Sequence, residues 1–515
     1  MPIIEGFATA DATDAHAKRF DTLSYKTLGR TELCCSQAGF GCYRIADGIE
    51  AHRNALQRAL DGGINLIDTS ANYADGESET LVGKVLTDAI ACGALNREAI
   101  IVVTKGGYLQ GRNYDVSQAR KAQGQPFPDL VPYADGLEHC IHPEFLEDQV
   151  TRSLERLNLA TLDFFLLHNP EYYLSWAVSK QGMEQDAANA AYEGRILNAF
   201  QHLEQEVARG RIRYYGISSN TFPEPSDRPD FTCLQRILDV AKAVGPEHHF
   251  AVIQFPMNLL ESGAVLNRNQ PDGATLLTTA IKAGLGTLVN RPLNALAADG
   301  LLRLADVRLP RRFSPEGIVQ AIQALVSSEN ALAREMLPNL DLSEALRTRI
   351  ATQIRIGSML LQQHRDFQSY DYWRQILTSQ LLPRVNGVLA YLDQQAFRHN
   401  LRAWAEAHGR YLATALEAVA SLYAPAAAER AEALKQMVAK ADPDWEGHGT
   451  LSQMAIRTLR TTRGISSVLV GMRQPRYVDD VLQELHRPRP TKTTHTGWTH
   501  IKDKLDGLGL SVDRQ

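Results

Sequence analysis

Four side chains of proton-moving types, Asp68, Tyr73, Lys105 and His168, fall within the short segments INLIDTSANY, IIVVTKGG and LDFFLLHNP. Singly, each has an ordinary structural use. An aspartate after an apolar run caps a turn, a tyrosine packs, a lysine is solvated and a histidine fills a hydrogen-bonded niche. Together, at the ends of apolar runs, they are what is needed to move a proton while a hydride moves elsewhere. A tyrosine hydroxyl titrates near pH ~10 in water. A neighbouring ammonium such as Lys105 is therefore needed to favour its anionic form and tune it for acid–base work near neutrality. Asp68 can hold that ammonium, and His168 can hydrogen-bond a substrate oxygen and orient it toward Tyr73.

The elements that must position these residues are short apolar runs alternating with helical patterns. Eight runs read as strands: Ala38 to Gly41, Ile64 to Asp68, Ile100 to Lys105, Asp163 to His168, Ile212 to Ser218, Ala251 to Phe255, Thr287 to Asn290, and Ser467 to Gly471. Helix-like stretches follow at 51–60, 78–90, 144–157, 195–209, 232–243, 274–283 and 475–486. This pattern predicts an α/β fold, a (β/α)8 TIM barrel with its chemistry at the C-terminal ends of the strands. The interval between the seventh and eighth strands is too long for one crossover and predicts an inserted all-helical subdomain at 304–444. There, Asp341 with Glu344 reads as a capping box ahead of Leu342, Leu346, Ile350 and Ile354. Phe397, Leu401, Trp404, Tyr411, Leu412, Ala415 and Val419 keep helical spacing, as a buried helix face requires. The organisation expected is an N-terminal extension at 1–24, the barrel at 25–303 and 445–487, and a tail at 488–515. Extension and tail read as polar, irregular surface segments, and the basic cluster near Arg487 and Lys492 as solvated.

The chain has 515 residues, 44% hydrophobic and 22% charged, so it is neither disordered nor collagenous. Its 54 Lys and Arg against 59 Asp and Glu leave a net charge of −5, with no footprint for nucleic acid or an anionic membrane. Six cysteines, at 34, 35, 42, 92, 140 and 233, form no CxxC pair, which argues against a zinc or disulfide framework. The N-terminal stretch lacks a signal-peptide pattern and no apolar run reaches 18 residues, so a cytoplasmic protein with no membrane partner is expected.

These three segments stand among others: YKTLGRTELCCSQAGFGCY, GESETLVGKVL, YYGISSN, IQFPMN, NRPLN and LSQMAIRTLRTTRGISSVLVGMRQPRYVDDVL. In order and strand placement this set resembles the aldo-keto reductase family, over most of the chain outside the insertion. The resemblance implies Asp68, Tyr73, Lys105 and His168 as a catalytic tetrad and a nicotinamide cofactor, NADP, with NAD left open. It implies reduction of an aldehyde, ketone or sugar, or oxidation of an alcohol, with Tyr73 as general acid or base. Carried over by position, Ser218, with Ser219 or Asn220, and Gln254 would hold the carboxamide. Asn290, Arg291, Pro292 and Leu293 would approach the pyrophosphate. Gly471, Met472 and Arg473 would face the adenosine phosphate, to which a guanidinium fork is suited, and Asp480 the adenine. The chain departs from the family pattern in carrying Asn290 where relatives stack an aromatic ring, and an extra serine in GISSN.

Connections at 106–142 and 169–194 are much longer than a minimal βα loop. Tyr108, Tyr172, Tyr173 and Trp176 within them, with Tyr43, are candidate walls for a small carbonyl or alcohol substrate. The insertion reads as a lid, a contact between copies of the chain, or a partner platform. Two other functions compete: a nucleotide-binding sensor or scaffold acting through the insertion, and an aldolase-type barrel with Lys105 as a Schiff-base amine.

Overall fold

The computed structural model describes residues 2–297, 300–394, 399–446, 449–488 and 496–507. Eight strands close into one parallel barrel: β1 (Ala38–Gly41), β2 (Leu66–Asp68), β3 (Ile101–Gly106), β4 (Leu162–His168), β5 (Ile212–Ser218), β6 (Phe250–Pro256), β7 (Gly286–Asn290) and β8 (Ser467–Gly471). Every residue of β3, β4 and β6 is buried. Strands covered on both faces need continuous rather than alternating hydrophobicity, which is why these runs stand out in the sequence. Leu66, Val103, Phe164, Leu166, Val252, Leu288 and Leu469 fill the barrel interior, joined by Leu28 and Leu33 from an N-terminal hairpin. Gly216 keeps β5 against β6, because a Cβ there would lie 2.1 Å from the Val252 carbonyl oxygen.

Register sets the height of the site. Gly41 pairs with Asp68 and Ser218 with both His168 and Gln254, while Pro256 pairs with Asn290. The ends of neighbouring strands thus meet at one level of the barrel's C-terminal face. A helix not read from the sequence, Leu451–Thr461, precedes β8 and opens on a capping box of Thr450 and Gln453. Arg457 and Arg460 both pair with the buried Glu484 of helix Pro475–Leu485, at 2.8 and 2.9 Å.

The chain forms two compact units, Met1–Ala298 with Met437–Gln515, and Asp299–Gln436. The second is mostly helical, with the short strand Gly300–Arg303 and an irregular stretch at 304–314, and Ile322, Leu325, Trp373, Val385, Ala415 and Val419 form its own core. Its helix Glu344–Ile354 is capped by Ser343, not Asp341, since the Ser343 hydroxyl accepts the Leu346 N–H. Leu401, Trp404, Leu412, Ala415 and Val419 are buried along helix His399–Ala441, whereas Tyr411 is exposed. Phe397 and Lys492 lie outside the described residues. Among the described residues no helix is long and apolar enough to cross a membrane.

Both chain ends depart from the irregular segments expected. Residues Ala10–Arg19 form a helix whose His16 meets the Gly63 carbonyl at 3.1 Å. Residues Thr496–Gly507 form another, with Trp498, Ile501 and Leu505 buried. These three follow i, i+3, i+7 spacing, a signal diluted by the polar residues between them. The Trp498 indole donates to Thr462 Oγ1 at 2.8 Å. Trp498→Ala should therefore cost about 3–5 kcal/mol in denaturant unfolding, whereas an unpacked tail would leave stability unchanged.

Candidate active site

Lys105, wholly buried at the end of β3, is the hub of the site. Its ammonium donates to Asp68 Oδ2 and to the Thr69 carbonyl, each at 2.8 Å, and to the Tyr73 hydroxyl at 3.3 Å. Burial opposes that charge, but the Asp68 carboxylate and the Tyr73 phenol outweigh it and hold Lys105 above its usual range. Tyr73 follows the turn after β2, its N–H donating to the Ser70 carbonyl at 3.1 Å. Ala74 and Asp75 next to it sit at φ 48° and 55°, a left-handed strain that non-glycine residues rarely carry.

The acid–base balance differs from the expectation that Lys105 brings Tyr73 toward neutrality. Burial raises the phenol more than the ammonium lowers it, and Tyr73 is pushed up to about 12. It is therefore a protonated donor at neutral pH. His168 is neutral too, held well below its usual range by burial and then by Lys105 and His139. The Ser70 hydroxyl donates to Asn72 Oδ1 at 2.7 Å and meets His168 Nδ1 at 3.1 Å, so the neutral His168 ring donates Nδ1–H to Ser70 Oγ.

On the other side of Asp68, Gln254 Nε2 donates to Oδ1 at 2.7 Å. Gln254 Oε1 accepts from the Ser218 hydroxyl at 3.0 Å and from Asn290 Nδ2 at 3.3 Å. Asn290 Oδ1 is buried without a hydrogen-bond partner among the described residues. The Ser219 hydroxyl turns inward to Thr221 and Thr232, leaving Asn220 as the half-buried amide at the turn. Arg291, at φ 53°, pairs with Glu261 at 3.1 Å, and Asn258 Nδ2 meets the Arg291 carbonyl at 3.3 Å. Pro292 is buried and Leu293 half-buried. At the end of β8, Gly471 is exposed; beyond it, Met472 is wholly buried and Arg473 is half-buried with no ion pair among the described residues. Asp480 accepts from Thr450 and Ser452 hydroxyls at 2.9 and 2.5 Å, so its carboxylate serves the start of the preceding helix.

Aromatic rings surround the tetrad. Tyr43 stands edge-on to Tyr73 at 5.2 Å and Tyr108 edge-on to His168 at 4.7 Å. Tyr172 lies 5.3 Å from Tyr108 and stacks on Tyr133 at 4.0 Å. Trp176 packs instead against the buried Tyr173, at 6.1 Å.

Against models of known families, residues 39–304 match the aldo/keto reductase family, just over half of the chain. The chain belongs to the aldo/keto reductase family. Among similar proteins, this aldo/keto reductase is 27% identical over 199 residues to an uncharacterized oxidoreductase of Bacillus subtilis, covering 38% of this chain and 48% of that protein. It is 26% identical over 208 residues to the 6-dehydroglucose reductase of Novosphingobium aromaticivorans, covering 38% and 52%. It thus spans about half the length of the curated relatives it matches. A solved aldo-keto reductase from Bacillus halodurans aligns over 93% of this chain and 96% of its own, at 16% identity and a TM-score of 0.44.

Sequence reasoning missed His139. The connection after β3 folds into a three-stranded antiparallel sheet, Tyr108–Leu109, Val131–Ala134 and Leu137–His139, with helix Arg112–Ala122. Burial lowers His139 to about 4, so its ring is neutral, and Nε2 must donate to the His168 carbonyl, 2.7 Å away. Gly107 makes room: a Cβ there would lie 2.7 Å from that carbonyl oxygen and 2.8 Å from His139 Nε2. The Asp-Gly pair in VPYADGLEH was a hairpin signal that could have found this sheet. Likewise the connection after β4 is largely helical, at Tyr172–Ser179 and Gln185–Ala208.

With its three donors engaged, Lys105 is a poor amine nucleophile. Borohydride in the presence of carbonyl compounds should leave it unmodified by mass spectrometry, and a reduced adduct on Lys105 would contradict this arrangement. Lys105→Met, which strands the buried Asp68 charge, should cost about 3–5 kcal/mol in unfolding measurements.

Proposed function

We propose that this protein is an NAD(P)H-dependent oxidoreductase that reduces an aldehyde, ketone or sugar carbonyl, or oxidises the corresponding alcohol. The observation that carries this reading is the Lys105 ammonium bonded at once to Asp68 and to the protonated Tyr73 phenol, with neutral His168 6.1 Å from that phenol's ring. The cofactor half fits an amide. Asn290 Oδ1 is a buried acceptor without a partner among the described residues, and it sits in one hydrogen-bonded group with Ser218 and Gln254. Ser218, Asn220, Gln254 and Asn290 would hold a nicotinamide carboxamide, the segment Arg291, Pro292 and Leu293 would lie by the pyrophosphate, and Arg473 would meet the adenosine phosphate. Ser219 and Asp480, already engaged within the protein, keep structural roles.

Bound nicotinamide supplies the hydride. The chain's own part is the proton. As negative charge gathers on the carbonyl oxygen, Tyr73 gives its proton through the hydroxyl, and the Lys105 ammonium stabilises the phenolate left behind. Asp68 keeps that ammonium in place. His168, neutral and with its ring 6.1 Å from that of Tyr73, borders the place of that oxygen and keeps it beside Tyr73. Tyr43, Tyr108 and Tyr172 provide an apolar wall for a small substrate, where neutral groups cost least to desolvate. NADP is the expected nucleotide, with Arg473 as its phosphate partner and NADH as the comparison.

Turnover followed by nicotinamide absorbance, with NADPH and NADH against aldehydes, ketones and aldoses, tests this reading. Tyr73→Phe should lower kcat by about 10²–10⁴ while nucleotide binding persists. Nucleotide binding with no turnover in either direction would refute the enzyme reading. Because Tyr73 is held protonated up to about 12, reduction should be flat across neutral pH. Alcohol oxidation, which needs the phenolate, should rise roughly tenfold per pH unit over the same range.

A further inference from the structure

Glu171 stands three residues after His168, in the turn that leaves β4, and is 3% exposed. That turn and the one leaving β5 hold each other reciprocally. The Asn169 N–H donates to the Ser218 carbonyl at 2.7 Å, and the Asn220 N–H donates to Glu171 Oε1 at 2.8 Å. Glu171 Oε2 is buried and has no hydrogen-bond partner among the described residues. Beside it the hydroxyls of Ser219, Thr221, Thr232 and Tyr192 close on one another at 3.0–3.3 Å. The titratable groups facing Glu171 are Tyr172 on its own turn, Tyr108 from the connection after β3, Tyr192 from helix Gln185–Ala208, and Asp230 from the loop after β5. None of these is a cation.

A carboxylate is not buried beside phenols and another carboxylate for stability, because desolvation penalises its charge. From these contacts we infer that Glu171 is a positioning residue that fixes the Ser218–Asn220 turn through the Asn220 N–H, and that its ionisation tightens this bond and with it nucleotide binding. The inference rests on the function proposed above. An ionised acceptor binds an N–H more strongly than a neutral one, and burial raises Glu171 to about 7, the backbone N–H groups and the Ser219 hydroxyl pulling it back only in part. The device therefore changes state at ordinary pH. Glu171→Gln keeps a carbonyl acceptor of the same shape and removes the titration. Glu171→Leu removes the acceptor.

The test is equilibrium binding of NADPH and NADH to the full chain between about pH 6 and about pH 8, read by nicotinamide fluorescence, for the native protein and both variants. Native Kd should fall about fivefold as pH rises. In Glu171→Gln only the titration of the nucleotide itself should remain, and Glu171→Leu should bind at least about tenfold more weakly throughout. Thermal melting without nucleotide gives a second readout. The folded state holds this proton to a higher pH than the unfolded chain. The advantage of native over Glu171→Gln should therefore shrink as pH rises toward about 7 and then level off. Identical pH dependence of Kd in native and Glu171→Gln would overturn the inference while leaving the proposed function standing. Failure of the native protein to bind nucleotide at any pH would overturn both.

Discussion

The rest of the site depends on one buried ion pair, Lys105 with Asp68. In isolation such a pair is a weak source of stability, since two desolvated charges repay little more than they cost. Its value lies in what it positions. A fixed ammonium can touch the Tyr73 hydroxyl only if a carboxylate and a carbonyl take its other donors, and Asp68 and Thr69 provide these from the end of β2. The closed barrel supplies the rigidity, with β2, β3 and β4 delivering their terminal residues to its C-terminal face in a staggered register, Asp68 opposite Val103 and Lys105 opposite Leu166.

The ion pair also joins the two halves of the site. Gln254 bonds Asp68 through Nε2 and takes Ser218 and Asn290 on Oε1, so a continuous chain of hydrogen bonds runs from Asn290 to Tyr73. Asn290 lacks the stacking surface of an aromatic ring. It extends this polar chain instead, its amide oxygen without a partner among the described residues. Supporting contacts come from segments of no obvious chemistry: His139 grips the His168 carbonyl, and Glu261 with Asn258 grips the turn after β7.

The barrel strands were legible because parallel strands buried on both faces are written as unbroken apolar runs; β1, β5 and β8 match the expected bounds residue for residue. The grouping of Asp68, Lys105 and His168 was legible because each lies at the end of such a run, with Tyr73 in the turn after β2. Partner choice was not. Whether Ser219 or Asn220 faces outward depends on a hydroxyl cluster assembled from Thr221, Thr232 and Tyr192, residues far apart in sequence. Asp480 looked like a ligand contact but accepts from the hydroxyls of Thr450 and Ser452, 30 and 28 residues before it. Asp341 and Ser343 are both good capping types, and only the helix start at Glu344 selects the serine. The balance on Tyr73 was misjudged because a sequence displays the ammonium nearby and not the burial that outweighs it.

Burial keeps Tyr73 protonated although an ammonium touches it. Carbon NMR of the protein labelled at tyrosine Cζ, with Tyr73→Phe to assign the signal, measures this without substrate or nucleotide. The Tyr73 signal should stay at its phenol position through neutral and mildly alkaline pH and move only toward about 12. A signal that titrates near neutrality would contradict it.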